Sequence, residues 1–175
     1  MRKIGRMFSF SIPVIAFTAL LLLMVGCETQ AAKVEENKAL VRDEFERWGL
    51  KGDETLIDEC YAADCVWHGP GGQEIRGRDG MKQLMAVLGA AFPDKRYTIH
   101  DMIAEGDKVV ARWTFRATHK GEYMGIPATN KQVVFTGIYI IRIADGSQVE
   151  WWLEADFLSL MQQLGAIPPM GEGGE

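Results

Sequence analysis

Apolar residues recur along this chain with two different periods, and the period changes at Pro93. Before that point the spacing is helical. Val34, Lys38, Val41, Phe45 and Trp48 form one stripe of a first helix that ends at Gly52, with charged residues opposite. Asp53 is placed to cap a second helix that buries Leu56, Ile57, Cys60 and Tyr61. Asp64–His68 reads as a short strand and Gly69–Gly72 as a loop. A third helix, with Asp79 as its N-cap, buries Met81, Leu84, Met85, Leu88 and Phe92, and Pro93-Asp94 stops it.

Beyond Pro93 the apolar residues alternate, as in strands. Tyr97, Ile99, Asp101 and Ile103 share one face of the first strand, against Thr98, His100, Met102 and Ala104. A turn at Glu105-Gly106-Asp107 leads into a long strand, Lys108–His119, followed by a glycine-containing loop over 120–131. Asp145-Gly146 between two alternating runs predicts a hairpin. A short helix closes the pattern, with Phe157, Leu160, Met161 and Leu164 on one side. Helices followed by a four-stranded meander make an α+β single domain.

The alternation also assigns faces. On the long strand Val109, Ala111, Trp113, Phe115, Ala117 and His119 point one way, and on the last strand Val149, Trp151, Leu153 and Ala155 do. These odd-numbered sets are expected inside. A three-residue hairpin loop with Gly146 left-handed would pair residues of equal parity and put Tyr139 on the face of Leu153. A two-residue turn would reverse that inference.

The N-terminus reads as an address. Arg2, Lys3 and Arg6 precede an apolar run over Phe8–Val25, and Met24-Val25-Gly26-Cys27 sets a small residue before a cysteine. This resembles a bacterial lipoprotein signal, with Cys27 as the lipidated first residue of the mature protein. A plain signal peptide or an uncleaved anchor is the alternative. The implied organisation is a signal over 1–26, a polar tether over 27–34, a domain over 35–168 and a disordered tail over 169–175. A lipidated Cys27 would hold the protein on the outer side of a bacterial membrane, the outer membrane if the host has two.

Cleavage would leave 149 of the 175 residues, with 16 basic against 24 acidic side chains and a net charge of −8. No basic patch is visible, which argues against nucleic acid as a partner. Cys60 and Cys65 read either as two buried thiols or as a disulfide. With His68 they make too small a set for a metal site, so no metal is expected.

The segments NKALVRDEFERW, VWHGP, RGRDGMKQLMAVLGAAFPD and RWTFRATHKGEYMGIPAT, with the C-terminal stretch Thr136–Pro168, resemble the SnoaL-like polyketide and ester cyclases of the nuclear-transport-factor-like superfamily. The resemblance implies a cone-shaped barrel, in which a strongly bent mixed or antiparallel sheet wraps three N-terminal helices, with a short C-terminal helix. It implies cofactor-free intramolecular aldol chemistry in a pocket for a small hydrophobic molecule. A catalytic aspartate lies three residues before the Asp-Phe that opens the last helix in those cyclases, and a histidine faces it. Here those positions hold Leu153 and Tyr139. A homodimer is the default assembly implied.

Leucine cannot exchange protons, so the chemistry needs another carrier. His119 matches a histidine of the cyclases at the end of the long strand, and reads as a base, a ligand contact or a structural residue. Tyr139 is the second catalytic candidate. Trp113, Trp151, Leu153, His68 and Tyr123 are the candidate ligand contacts, with core packing as the alternative for the aromatic residues. Glu154 and Asp156 face outward unless a bulge shifts the register. Three functions stay open: a cofactor-free cyclase or isomerase, a binding protein that has lost the reaction, and an interaction module using its open sheet face.

Overall fold

The computed structural model describes residues 30–49, 52–53 and 55–168. The expected signal segment, Cys27 and the tail after Pro168 lie outside the described residues. A helix covers residues 30–49 (α1), so most of the expected tether, from Gln30 onward, is already helical. The order then runs α2 (Leu56–Cys60), β1 (Tyr61–His68), a 3₁₀ turn (Pro70–Gly72), β2 (Glu74–Arg76), α3 (Gly77–Ala91), β3 (Arg96–Glu105), β4 (Lys108–Thr118), β5 (Gln132–Ala144), β6 (Ser147–Ala155) and α4 (Phe157–Leu164).

Two helix starts differ from the sequence reading. Asp53 stands before the N-cap of α2, which is Thr55, and its Oδ1 accepts from the Thr55 amide and hydroxyl. Arg76 caps α3, and Asp79 lies in the first turn, where its charge suits the helix dipole. The last helix is capped by Asp156, whose Oδ1 accepts from the Ser159 amide at 2.9 Å.

The sheet has six strands in the order β2-β1-β6-β5-β4-β3. Only the β1–β6 pair is parallel, so the sheet is mixed. The α+β architecture, with helices first, a bent sheet and a short final helix, agrees with the expected cone.

On β4 the predicted face is correct: Val109, Ala111, Trp113, Phe115 and Ala117 are all buried, as is His119 just after the strand. The core joins this face to Val41, Phe45 and Trp48 of α1 and to Met81 and Met85 of α3.

Two bulges break the alternation in the antiparallel part of the sheet. On β3, Ile99 pairs with Trp113 but Asp101 with Arg112, so His100 is the extra residue. Met102 and Ala104 therefore turn inward, and Ile103 is 68% exposed, the reverse of the simple reading. On β6 the hairpin turn has two residues, Asp145 and Gly146, both at positive φ (50° and 74°). That geometry alone would reverse the parity across the hairpin. Val149 restores it, because the pairing moves from Ile143 with Gln148 to Arg142 with Glu150. Tyr139 thus faces Leu153, as expected, but by a different route.

Gly137 shows how closely the sheet is packed. A Cβ there would lie 2.4 Å from Cζ2 of Trp113 and 2.8 Å from the Glu154 carbonyl oxygen. The absent side chain is what lets the Trp113 indole approach β5 so closely.

Candidate active site

A cavity lies between the helices and the inner face of the sheet, in two adjoining chambers. The outer one has a volume of about 180 Å³, and its mouth is framed by Pro70, Gln73, Val87 and Met124. Its walls are Phe92, Trp113, Phe115, Tyr123, Phe135, Leu153, Phe157 and Leu160. The inner chamber, about 40 Å³, is lined by Glu44, Phe45, Trp48, Tyr61, Met81, Met85, Ile141 and Trp151. Trp67, Leu84, Leu88, Tyr97 and Tyr139 belong to both and form the waist between them.

Edge-on aromatic contacts hold these walls. Tyr97 meets Phe45, Trp113 and Phe115 at centroid distances of 5.4, 5.3 and 5.0 Å. Such contacts fix ring orientation beyond simple area burial. Tyr97 and Tyr139 both line the waist, and burial pushes both phenols above their ordinary range.

The inner chamber contains a carboxylate. Glu44 lies on the buried stripe of α1, between Val41 and Trp48, and three elements converge on it. The Tyr61 hydroxyl, at the start of β1, donates to Oε1 at 2.5 Å, and Gln148 Nε2 of β6 donates to Oε2 at 2.9 Å. Tyr61 and Gln148 are themselves cross-strand partners. Gln148 points inward as the partner of the buried Ile143, and the bulge at Val149 after it keeps Trp151 and Leu153 on the same face. Burial pushes the Glu44 carboxyl up to about 7, against the opposing pull of the two hydrogen bonds. Among the described residues no basic side chain pairs with it.

Five of the candidate residues line the cavity: Trp113, Tyr123, Tyr139, Trp151 and Leu153. Two do not. His119 is fully buried and lies against Phe92 (5.4 Å between centroids), but it is absent from both chambers' walls. Its Nδ1 accepts from the Thr129 amide at 3.3 Å and meets the Thr129 hydroxyl at 3.1 Å, tying down the loop after β4. Desolvation lowers its pKa, which favours the neutral ring. This histidine is therefore a loop anchor by position.

His68 sits on the outer face, because its neighbour Trp67 takes the inward position. There its Nε2 is 2.9 Å from Glu150 Oε1 and its ring stacks on Trp152 at 5.4 Å. Glu154 is exposed and Asp156 serves α4 as a cap, so neither reaches the cavity. Cys60 and Cys65 are free thiols, Cys65 buried and Cys60 half-buried. Among the described residues no cluster of three or more His, Cys, Asp or Glu side chains could hold a metal ion.

Glu44 was not among the sequence candidates, since acids on an amphipathic helix usually belong to the solvated face. The available signal was its spacing. Val41, Glu44 and Trp48 follow i, i+3, i+7, which places the carboxylate on the core stripe.

Comparison with known proteins agrees with this architecture. The family described as SnoaL-like polyketide cyclase matches residues 39–164. Aklanonic acid methyl ester cyclase DauD of Streptomyces sp. (strain C5) is 28% identical over 121 residues, which is 69% of this chain and 73% of that protein. Aklanonic acid methyl ester cyclase DnrD of Streptomyces peucetius is 30% identical over 101 residues, 57% of this chain and 70% of that one. The structure of TsrD from Streptomyces laurentii superposes with a TM-score of 0.68 at 31% identity, covering 76% of this chain and 97% of TsrD. The chain belongs to the SnoaL-like polyketide cyclase family.

Proposed function

We propose that this protein takes a small, ring-containing hydrophobic molecule into the two-chamber cavity, for cofactor-free cyclisation or isomerisation of the ester cyclase type. The observation that carries this reading is the distribution of polarity. The outer chamber is walled by apolar and aromatic side chains, whereas the hydroxyls of Tyr97 and Tyr139 and the Glu44 carboxyl lie at the waist and the inner end. A molecule entering from the mouth would bury its apolar body first and present its polar end to those groups. An apolar cavity of roughly 150 Å³ accommodates benzene, so the outer chamber suits a single ring and the two in series suit a fused pair.

Four of the five tryptophans line the chambers, which makes their emission a direct reporter. The test is titration of the full chain with 2-tetralone, a fused-ring ketone, followed by tryptophan quenching. Saturable quenching, abolished by filling the waist with Leu88→Trp, is expected. Quenching that survives Leu88→Trp would mean that the ketone binds elsewhere.

A non-catalytic binding protein is the second reading, and Leu153 favours it. The side chain opposite Tyr139 is apolar, so the reaction that the family resemblance implies has no carboxylate at that place. The two readings separate on whether a bound ketone exchanges its α-protons.

The membrane reading is also proposed. Cys27 is taken as the site of lipid attachment, which would tether the domain outside the cytoplasm. Cys27→Ser should move the protein from the membrane fraction to the soluble fraction, and an unchanged distribution would remove the proposal.

A further inference from the structure

We propose that Glu44, held by Tyr61 and Gln148, is the group that exchanges protons with the bound molecule, and that this molecule carries a carbonyl next to a C–H bond. The inference rests on the cavity reading above and deepens it. It moves the proton-transfer site from position 153, in the outer chamber, to the inner end.

The placement supports this in three ways. Among the described residues, Glu44 is the one carboxylate in the lining of either chamber. A buried carboxylate kept for structure alone is ordinarily compensated by a cation, and no basic side chain among the described residues pairs with this one. Its surroundings also serve both protonation states. The ionised form accepts from Tyr61 and from Gln148 Nε2, while Gln148 Oε1, buried and without a hydrogen-bond partner, is available to accept a hydrogen bond from the neutral acid after an amide flip. Burial brings the carboxyl to about 7, where a general base combines a large ionised fraction with useful basicity.

The step balances without any co-reactant. The Glu44 carboxylate removes a proton from the carbon beside the carbonyl. The C–H electron pair becomes the carbon–carbon π bond, and the carbonyl π pair moves onto oxygen, giving an enolate. Tyr97 and Tyr139, which line the waist, supply the hydroxyl donors for that oxygen. In an isomerisation of a β,γ-unsaturated carbonyl compound, the pair spreads over the adjoining C=C as a dienolate, and Glu44 returns the proton to its far carbon as the double bond moves into conjugation. In a cyclisation, the enolate carbon attacks a second carbonyl of the same molecule, and the proton goes to the new alkoxide.

The test uses 2-tetralone in D₂O, with α-deuterium incorporation followed by proton NMR alongside the tryptophan titration. The full chain is expected to accelerate exchange over buffer, with a rate that rises with pH through about 7, the value expected for Glu44. Glu44→Gln should slow the protein-dependent exchange by roughly 100-fold or more, the usual contribution of a general base, while tetralone still quenches tryptophan emission. Glu44→Asp should recover part of the rate. Binding without exchange, equal exchange by Glu44→Gln, or a pH-independent rate between pH 5 and 8 would each overturn the inference and leave the binding reading standing. Absence of tetralone binding would overturn both. The pH profile of the unmodified protein decides the matter even if the variant fails to fold.

Discussion

Replacing Glu44 by Gln should make the fold less sensitive to pH, and the size of the effect can be worked from the burial of the carboxyl. The group titrates at 4.5 when solvated and at about 7 in the fold. Between those values the folded protein keeps a proton that the unfolded chain has released, so stability falls as pH rises. At about 1.36 kcal/mol for each unit, the loss reaches about 3 kcal/mol, complete a little above pH 7. Water reaching the cavity would reduce that figure. Below pH 4.5 both states hold the proton and the contribution is intact. Glutamine keeps the shape and accepts from Tyr61, and the unpartnered Gln148 Oε1 can turn to accept from the new amide. Urea unfolding of both proteins at pH 4, 5.5, 6.5 and 8 is the assay, with midpoints converted through the slope. The two should be nearly equal at pH 4, and the variant should be more stable at pH 8 by about 2 to 3 kcal/mol. A difference that is the same at every pH would show that Glu44 is not desolvated, and the reasoning would fail.

Other expectations follow from the same contacts. Tyr61→Phe removes a hydrogen bond that favours the ionised carboxyl, so the Glu44 midpoint should move further up, as read by NMR of the labelled side-chain carboxyl. Gly137→Ala drives a methyl group into the Trp113 indole and should cost more than about 2 kcal/mol, in line with overpacking of a tight core; an unchanged melting temperature would refute the close approach. His119→Ala should leave tetralone binding intact but release the loop after β4, seen as faster amide exchange of Thr129 to Lys131. Leu153→Asp puts an acid in the outer chamber without a basic partner. It should destabilise the fold by about 1 to 3 kcal/mol at pH 8 and less at pH 4, measured by the same urea series.

Much of the fold was legible because β4 and the buried helix stripes are regular. Every odd residue of β4 from Val109 to Ala117 lies inside, as two-residue periodicity requires. The errors fall where regularity stops. His100 and Val149 are bulge residues, and neither has a side chain that announces the extra position. The pairing of Tyr139 with Leu153 was inferred from a three-residue loop, whereas a two-residue turn and a bulge together produce it. His119 shares a face with the cavity wall, but Phe92 stands in front of it, a tertiary fact with no local signature. His68 was undecidable by sequence, since alternation says only that it opposes Trp67. Glu44 was overlooked because its residue type outweighed its position on the stripe.

The bulge on β6 makes strand register a chemical variable. That strand carries two inventories: Trp151 and Leu153 on one side, Glu150, Trp152 and Glu154 on the other. One extra residue, Val149, selects which inventory the interior receives beyond Gln148. Pairing Val149 into an unbroken ladder, with the hairpin turn kept, would turn Glu150 and Glu154 toward the cavity without any substitution at all, whereas deleting it would leave Trp151 and Leu153 inside. Relatives of equal length that lack the bulge therefore cannot be matched position by position in this strand. Their pockets can exchange an oily wall for an acidic one through register alone.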